Sequence, residues 1–447
     1  MTRKLLLASI VASLAGFLFG FDTIVISGAE QAIQGLWGAY TLSGSNDLFH
    51  GIVVVGSALW GTVVGAMFGG IPNDVLGRKK TLILIGVFYT VSAIGSGLAS
   101  DPWVFAVFRF LGGLGVGAST IAAPAFISEI APQDKRGRLV ASYQFNIVFG
   151  ILIAFISNAL FARFVEVSAW RWMIGIEALP ALIYTLLVLQ IPESPRWLIA
   201  RRADVEGARK VFQKLHGDNE IVEAEIASIV ELKDHSGKKE SVFSRKYSFP
   251  LSLAFFIAFF NQFSGINAIL YYANRIFDEA GLANEAGDLS TIGLGITNFV
   301  FTLFGMFLID SLGRKQLLYI GSVGYIVSLV TVALCFTMGW TGIIIAISLF
   351  VFIGAHAIGQ GAVIWVFISE IFPNHLRSSG QSFGTSVHWL LAAIIPSLVP
   401  VLFGAIGAGS VFFIFAVMMV MQLLWVKFYV PETKGKSLEE LEEVLIK

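Results

Sequence analysis

The chain has 447 residues, of which 56% are hydrophobic and only 13% are charged, and its formal net charge is zero. This balance excludes a soluble protein and gives no sign of a nucleic-acid partner, and the mean hydropathy of +0.79 indicates an integral membrane protein. The single cysteine, Cys335, excludes an intramolecular disulfide. No nucleophile–base pair, metal cluster or nucleotide loop stands out, so the sequence predicts neither an enzyme nor a cofactor.

Twelve apolar stretches are long enough to cross about 30 Å of hydrocarbon. The first follows a short basic N-terminus and lacks a cleavage site, so we expect the mature protein to keep it. Six stretches precede a polar segment and six follow it. The predicted spans are 5–27, 50–71, 80–99, 103–127, 138–161, 170–191, 249–272, 289–310, 317–338, 342–368, 381–404 and 409–430.

The basic residues of the chain predict its orientation in the membrane. They gather at the N-terminus, after the second, fourth, eighth and tenth spans, in the central segment and in the tail, which predicts that both termini and the centre are cytoplasmic. The predicted domains are an N-terminal six-helix bundle at 1–191, a cytoplasmic helical linker at 192–248, a C-terminal six-helix bundle at 249–430 and a cytoplasmic tail at 431–447.

Two motifs recur in the same order in both halves. "NDVLGRKKTLILIG" (73–86) and "FISEIAPQDKRGR" (126–138) match "IDSLGRKQLLYIG" (309–321) and "FISEIFPNHLRSS" (367–379). The repeat predicts two pseudo-symmetric bundles with a solute site at midplane. The loop charges would either hold helix ends together statically or form bridges in one conformation only. The residues predicted for this cytoplasmic charge network are Asp74, Arg78, Glu129, Arg136, Glu193, Arg196, Asp310, Arg314, Glu370, Arg377 and Glu432.

Two opposite charges lie at the same predicted depth. Asp22 and Arg109 each sit about five or six residues from the outer end of a span, roughly 8–9 Å below the interface. We expect them to pair, because either charge alone is unfavourable in hydrocarbon. The pair either carries a proton through a conformational cycle or is static, and Glu177 is a second buried carboxylate with a structural or relay role. Four acidic residues predicted as solvated outer-loop charges are Glu30, Asp47, Asp101 and Glu166.

The seventh span, "FFNQFSGINAILYYANRIF" (259–277), is unusually polar. At 100° per residue its polar side chains cover an arc of about 220°, wider than one stripe of a straight helix. Either neighbouring helices satisfy these groups, or they face a wet cavity that a polar solute visits. Gly265 in their midst predicts a kink or an unwound turn.

Several motifs carry a family resemblance over the whole chain. "GRKK" with Asp74, "PESPRWL" (192–198), "PETKG" (431–435) and "NQFSGINAILYY" together resemble the sugar porter branch of the major facilitator superfamily. The resemblance implies an all-α twelve-helix membrane protein with the major facilitator fold, acting as a monomer on a small sugar. The family contains proton-coupled monosaccharide symporters and facilitative glucose transporters, and an Asp at the position of Asp22 is typical of the proton-coupled members.

The resemblance also implies site residues. Gln262 and Asn267 would bind sugar, because an amide donates and accepts hydrogen bonds as adjacent hydroxyls do; contact between helices is the alternative. Asn261 stands where Gln is usual and would also meet a sugar hydroxyl, with a shorter reach. His388, where relatives have Gln or Asn, would bind sugar, sense pH or be a buried neutral imidazole. His356 would be structural, with a role in the site as the alternative.

Further residues are implied one by one. The binding residues among them are Gln144, Asn298, Trp365 and Trp389, although tryptophans in membranes also serve packing and anchoring. Tyr271 and Tyr272 would shape or gate the outer side. Gly359 and Gly361 would supply gating flexibility in a tenth span that lacks the family's proline.

We therefore expect a proton-coupled hexose or pentose symporter, and the short outer loops without glycosylation sequons predict a bacterial inner membrane. A facilitative uniporter is the first alternative. A non-transporting sugar sensor is another, against which the short tail argues. A polyol or organic-acid carrier is the last; an acid carrier would need a further midplane cation.

Overall fold

A computed structural model describes residues 2–132, 135–165, 167–217, 222–223, 225–227, 229, 240–282, 285–340, 342–373, 376–436 and 438–445. The regular structure of this part of the chain is helical, as predicted, apart from one isolated bridge between Leu42 and Ser45. Much of the second half of the predicted cytoplasmic linker at 192–248 lies outside the described residues, as does the predicted loop charge Glu166.

The twelve predicted spans are confirmed by helices that are long and apolar enough to cross a membrane within the described residues. Their ends differ from the predicted ones by a few residues, except that the first span continues to Leu36 instead of ending near residue 27. The observed spans are Arg3–Leu36, Asn46–Phe68, Arg78–Leu98, Pro102–Ile130, Arg136–Phe164, Ala169–Val188, Arg245–Tyr271, Ala286–Leu312, Arg314–Met338, Gly342–Glu370, Arg377–Ile406 and Ala408–Phe428.

The first half of the chain contains helices whose starts follow from local capping. Asp101 accepts hydrogen bonds from the backbone N–H groups of Trp103 and Val104, and Pro102 occupies the first helical position. The helices are α1 (Arg3–Leu36), α2 (Asn46–Phe49), a π-helix (His50–Val55), α3 (Gly56–Phe68), α4 (Gly70–Val75), α5 (Arg78–Leu98), α6 (Pro102–Ile130), α7 (Arg136–Phe164), α8 (Ala169–Gly175), α9 (Ala178–Val188), α10 (Pro195–Arg202) and α11 (Val205–His216).

The second half contains two spans that are broken into shorter helices. The seventh span is broken at Gly265 and again at Tyr272, and the tenth span is broken at Gly359. The helices are α12 (Ser248–Phe263), α13 (Ile266–Tyr271), α14 (Ala273–Glu279), α15 (Glu285–Leu312), α16 (Arg314–Met338), α17 (Gly342–Ile358), α18 (Gln360–Glu370), α19 (Arg377–Ile406), α20 (Ala408–Phe428) and α21 (Leu438–Leu445).

The chain forms two compact units, and both take segments from several parts of the sequence. In unit 1, α5 packs against α6 and α9, and α10 packs against α11. In unit 2, α12 packs against α19, α16 packs against α17 and α20, and the π-helix packs against α19. Unit 1 consists of Met1–Thr23, Trp60–Ile151 and Arg171–Lys239, and unit 2 consists of Ile24–Leu59, Leu152–Trp170 and Glu240–Lys447.

Candidate functional site

The first candidate site is an ion pair buried in unit 1. Asp22 on α1 is 2% exposed and Arg109 on α6 is 1% exposed. The Arg109 Nη1 donates a hydrogen bond to the Asp22 carboxylate, and its Nη2 donates a second, 3.2 Å long, to the Asp22 carbonyl oxygen. The pairing that the sequence predicted is therefore present. Its role in proton coupling stays a prediction.

Glu177 lies beside this pair, between α8 and α9. It is 1% exposed and interacts electrostatically with both Asp22 and Arg109. The buried Tyr89 on α5 also interacts with the two carboxylates. Two carboxyl groups thus share one guanidinium in a region closed to water. While Arg109 is charged, the cluster has no net charge only when one of the two carboxyl groups carries a proton.

The second candidate site is a cluster of amide and imidazole groups in unit 2. The Nε2 of Gln262 lies 3.0 Å from Asn261 Oδ1 and 3.2 Å from His388 Nδ1. Its Oε1 accepts a hydrogen bond from Asn267 Nδ2 at 2.8 Å. Asn261 and Gln262 are buried, whereas Asn267 and His388 are partly exposed. The cluster therefore presents both donors and acceptors at its accessible edge, which suits a small polyhydroxyl solute.

Two indole rings flank the imidazole of His388. The Trp365 ring lies edge-on to it with ring centroids 4.9 Å apart, and the Trp389 ring lies edge-on at 5.1 Å. Trp389 is buried, whereas Trp365 is 37% exposed. An accessible indole beside hydrogen-bonding groups offers an apolar face to the C–H groups of a solute. The structure thus brings together six predicted binding residues: Asn261, Gln262, Asn267, Trp365, His388 and Trp389.

The predicted break at Gly265 is present beside this cluster. Gly265 has φ of +85°, and a Cβ there would lie 2.5 Å from the Phe415 ring, so both the backbone and the space favour glycine. After the break, Tyr271 and Tyr272 are buried. The Tyr272 hydroxyl donates to the Pro396 carbonyl oxygen on α19 at 2.9 Å. The gating role of the two tyrosines stays a prediction.

The tenth span is interrupted at Gly359, whose φ of −86° and ψ of −102° end the path of α17. Gly361 lies in the first turn of α18, where a Cβ would be 3.1 Å from the His356 carbonyl oxygen. This interruption fits the flexibility predicted for the two glycines, and gating itself stays a prediction. The His356 Nδ1 lies 2.6 Å from the Tyr325 hydroxyl, which fits the structural role predicted for His356.

Two predicted binding residues contribute no hydrogen bond to the cluster. Asn298 is buried in α15, and Gln144 lies partly buried on α7 in unit 1. Neither side chain forms a hydrogen bond with the part of the chain that the structure describes. Their contact with a solute stays a prediction.

Arg78 organises one charge hub in unit 1. Its Nη2 and Nε donate to the Glu129 carboxylate at 2.8 and 2.9 Å, and its Nη1 lies 3.3 Å from Asp74 Oδ1. The Ser194 hydroxyl also donates to the Glu129 carboxylate. Glu193 accepts from the backbone N–H of Lys79 at 3.0 Å. Four predicted network residues are therefore joined by α5 and the segment before α10.

Arg314 organises the corresponding hub in unit 2. Its Nη2 and Nε donate to the Glu370 carboxylate at 2.7 and 3.1 Å, and its Nη1 lies 3.5 Å from Asp310 Oδ1. The Thr433 hydroxyl donates to Glu370 at 2.6 Å. Burial raises the pKa of Glu432, but hydrogen bonds from backbone N–H groups, those of Lys434 and Arg314 among them, more than offset it, and the pKa lies below the ordinary value.

Three predicted network arginines stand outside these hubs. Arg196 pairs with Glu225 at 2.8 Å instead of joining Glu129. Arg136 and Arg377 form no ion pair with the described residues, and buried guanidinium nitrogens of both have no hydrogen-bond partner there. In this conformation, they do not complete the network that the sequence predicted.

Sequence reasoning missed a charged cluster in unit 2. Glu30 was predicted to be a solvated loop charge, but it is 0% exposed. It accepts two hydrogen bonds from Arg275, at 3.0 and 2.6 Å, and its Oε2 lies 3.0 Å from His50 Nε2. The prediction failed because the first span was ended at residue 27 on hydropathy, whereas α1 continues to Leu36. Asp47 was also predicted to be a solvated loop charge, and it is partly exposed and accepts from Gln34 at 2.8 Å.

A second missed network lies beside the break at Gly359. The Gln360 Nε2 donates to Gln422 Oε1 at 3.1 Å, and the Gln422 Nε2 donates to Ser322 Oγ at 2.8 Å. All three residues are fully buried. Two glutamines inside predicted spans were the available signal. Among the described residues, no group of three or more His, Cys, Asp or Glu side chains could hold a metal ion.

Comparison with known proteins identifies the family. The family model described as "Sugar (and other) transporter" matches residues 8–445. The chain belongs to the sugar transporter family of the major facilitator superfamily. It is therefore a transporter and not an enzyme, and its twelve spans make it a multi-pass membrane protein.

Individual relatives match over nearly the whole chain. The glucose transport protein of Synechocystis is 35% identical and the alignment covers 98% of this chain and 97% of the relative. The arabinose-proton symporter of Bacillus subtilis is 34% identical, with 99% and 95% covered. The partially occluded inward-open structure of the xylose transporter XylE from E. coli is 30% identical with a TM-score of 0.87, covering 98% of this chain and 100% of that chain. The predicted major facilitator fold is confirmed.

Proposed function

We propose that this transporter is a proton-coupled monosaccharide symporter that works by alternating access, with Asp22 as the proton carrier and Arg109 as its partner. The observation that carries the proposal is the buried cluster of these two residues with Glu177. It holds one carboxyl group more than its single guanidinium can neutralise. A proton is the smallest species that restores neutrality, and it can leave when the pair separates.

A monosaccharide is proposed as the substrate on chemical grounds. The cluster around Gln262 presents amide groups and an imidazole beside the accessible Trp365 ring. Sugar hydroxyl groups form hydrogen bonds with the amide and imidazole groups, and the C–H face of a sugar ring packs against the indole ring. The names of the arabinose-proton symporter and of the xylose and glucose transporters support a pentose or hexose.

The membrane placement is also proposed. The bacterial relatives support a bacterial inner membrane, and the distribution of Lys and Arg supports cytoplasmic termini. On this orientation, the end of unit 2 that carries Glu30 and Arg275 faces outward. The proposal also includes the domain division and a monomeric working unit. The domains are the six-helix halves at 1–191 and 249–430, the linker at 192–248 and the tail at 431–447.

The test uses purified protein in liposomes with an imposed inward proton gradient. Labelled glucose uptake is measured with xylose and galactose as competitors, for the unsubstituted chain and for Asp22→Asn. We expect uphill uptake only with the gradient, and its loss in Asp22→Asn while sugar counterflow persists. Uptake that equilibrates equally with and without the gradient would contradict symport, and no uptake of any sugar would contradict the substrate.

A facilitative uniporter is the second candidate. It is favoured by the way Arg109 holds both the carboxylate and the backbone of Asp22, which is also the geometry of a static structural pair. In a uniporter, Asp22→Asn would alter stability and leave the rate of sugar equilibration independent of the proton gradient. The same liposome experiment separates the two candidates.

A further inference from the structure

The cluster around Glu30 joins the two halves of the sequence inside unit 2. Glu30 lies on α1 and His50 begins the π-helix, both from the first half, whereas Arg275 lies on α14 in the second half. The guanidinium of Arg275 binds both carboxylate oxygens of Glu30 in parallel. Such a two-bond pair fixes direction as well as distance.

His50 completes the environment of the carboxylate. It is 1% exposed, and its Nε2 lies 3.0 Å from Glu30 Oε2. An ionised carboxylate can only accept, so this hydrogen bond requires the proton on His50 Nε2. Further hydrogen bonds extend from this cluster. Arg275 also donates to the Gln34 side chain, and Gln34 donates to Asp47 at 2.8 Å. Glu30 thus receives three hydrogen bonds while it is closed to water.

Arg275 is also tied to the tyrosine that follows the break of the seventh span. Its guanidinium carbon lies 5.6 Å from the centre of the Tyr272 ring, and the Tyr272 hydroxyl binds α19. The Glu30–Arg275 pair therefore sets where α14 lies. The two neighbouring breaks, at Gly265 and Tyr272, leave this short helix free of a continuous helical connection to α12.

In alternating access, the two halves separate on one side of the membrane at a time. A contact that joins a first-half segment to a second-half helix must then break when its own side opens. Glu30 and Arg275 are such a contact, and breaking it leaves charges that must be rehydrated. The ion pair therefore contributes most to the free energy of the protein when this side is closed.

We propose that Glu30, His50 and Arg275 are positioning residues for transport: they hold α14, and with it Tyr272, in the closed position on this side, and they release it when the side opens to sugar. This rests on the proposed alternating access and orientation. It assigns a role in transport to three residues outside both candidate sites.

The test measures access to a buried position and needs neither sugar nor a proton gradient. The chain has one native cysteine, the buried Cys335, so an introduced cysteine can be labelled selectively. Ser397→Cys is the reporter, because Ser397 is 2% exposed and lies against the backbone of the π-helix at Gly51. Ser100→Cys, at an exposed position before α6, is the control for vesicle orientation. A membrane-impermeant maleimide is added from outside.

We expect Glu30→Gln and Arg275→Gln each to speed labelling of the Ser397→Cys reporter about tenfold, because each leaves one charge of the pair without its partner. The double variant Glu30→Gln/Arg275→Gln is expected to label more slowly than either single variant, since it leaves no unpaired charge and two amides can bond each other. The matched control is Asp278→Asn, at an exposed carboxylate on α14 whose side chain forms no hydrogen bond with Glu30 or Arg275, and it should leave labelling unchanged.

Three results would overturn the proposal. They are unchanged labelling in both single variants, an equal effect in Asp278→Asn, and single-variant effects that add in the double variant. If a neutral variant does not fold, Arg275→Lys keeps the charge but loses the parallel bonds, and unchanged labelling there would also contradict the assignment. Reporter labelling that occurs only from the vesicle interior would contradict the orientation. Labelling that changes as expected, in a protein whose sugar uptake does not depend on the proton gradient, would contradict the symport proposal alone.

Discussion

The Nε2 of Gln262 lies 3.2 Å from the Nδ1 of His388, so a single amide group joins α12 to α19. The oxygen of the same amide accepts from Asn267 beyond the break at Gly265. Gln262 thus sets the positions of two partly exposed polar groups at once. A sugar hydroxyl that replaces one of these contacts would meet groups already held in place, which lowers the entropy lost on binding.

Gln262→Ala is predicted to weaken sugar binding roughly 10- to 100-fold, because it removes one hydrogen-bonding group and leaves Asn267 and His388 without their shared partner. The half-saturation concentration in sugar counterflow is the measurement. Gln190→Ala, at an exposed position after α9, is the matched control and should behave as the unsubstituted chain does. Equal half-saturation in Gln262→Ala would remove Gln262 from the binding site.

Glu177→Gln is predicted to uncouple sugar movement from proton movement while counterflow continues. The substitution leaves one carboxylate with one guanidinium, which is a neutral pair without any added proton. Proton entry that accompanies sugar uptake, followed with a dye inside liposomes, should fall at least about tenfold relative to sugar flux. Glu177→Asp retains the acid group and should retain coupling. Full coupling in Glu177→Gln would leave Asp22 as the only carboxyl group of the cluster that carries a proton.

Gly265→Ala is predicted to destabilise the protein by about 1–3 kcal/mol, because alanine is strained at positive φ and its methyl group would press on Phe415. The thermal unfolding midpoint in detergent should fall. Gly35→Ala is the control, since this glycine lies within α1 and a Cβ there meets no other atom within 4 Å. The control should be neutral or slightly stabilising. A midpoint unchanged in Gly265→Ala would show that the seventh span straightens without loss.

The pKa of Glu432 predicts a pH-dependent contribution to stability. Since the folded protein holds this pKa below the ordinary value of 4.5, ionised Glu432 stabilises the folded state above that value. The contribution is lost as the pH falls through the lower folded pKa. Glu432→Gln should therefore be less stable than the unsubstituted chain at pH 7, and the difference should shrink below about pH 4.

The matched control for Glu432 is Glu206→Gln, at an exposed carboxylate on α11. Unfolding midpoints of both variants are measured between pH 3 and pH 8. A difference between Glu432→Gln and the unsubstituted chain that stays constant over this range would contradict the shifted pKa.

Much of the fold and part of the site could be predicted from the sequence because their signals are local or repeated. Span positions follow from hydropathy, the break at Gly265 from a glycine among polar residues, and the Asp22–Arg109 pair from equal depth. The two hubs followed from matching motifs. These predictions needed only helical geometry and the high free energy of an unpaired charge in hydrocarbon.

The missed features depend on contacts between distant segments. Glu30 is separated from Arg275 by 245 positions, and Gln360 from Gln422 by 62. No periodicity links such residues, because their proximity is decided by how whole helices pack. Hydropathy also ended the first span too early: Glu30 lowers the average of its window, although in the folded protein its charge is neutralised by a partner that the window does not contain.

Arg78 and Arg314 bind their partners through the same set of atoms, each taking a glutamate with Nε and Nη2 and a backbone carbonyl with Nη1. Each also has an aspartate four residues earlier and a hydroxyl on the same glutamate. The protein therefore offers two matching sites at which one substitution can be compared. The same substitution made at Arg78 and at Arg314 compares one chemical change in two settings. Any difference between the two resulting transport rates measures how unequally the two copies of the repeated motif contribute to transport.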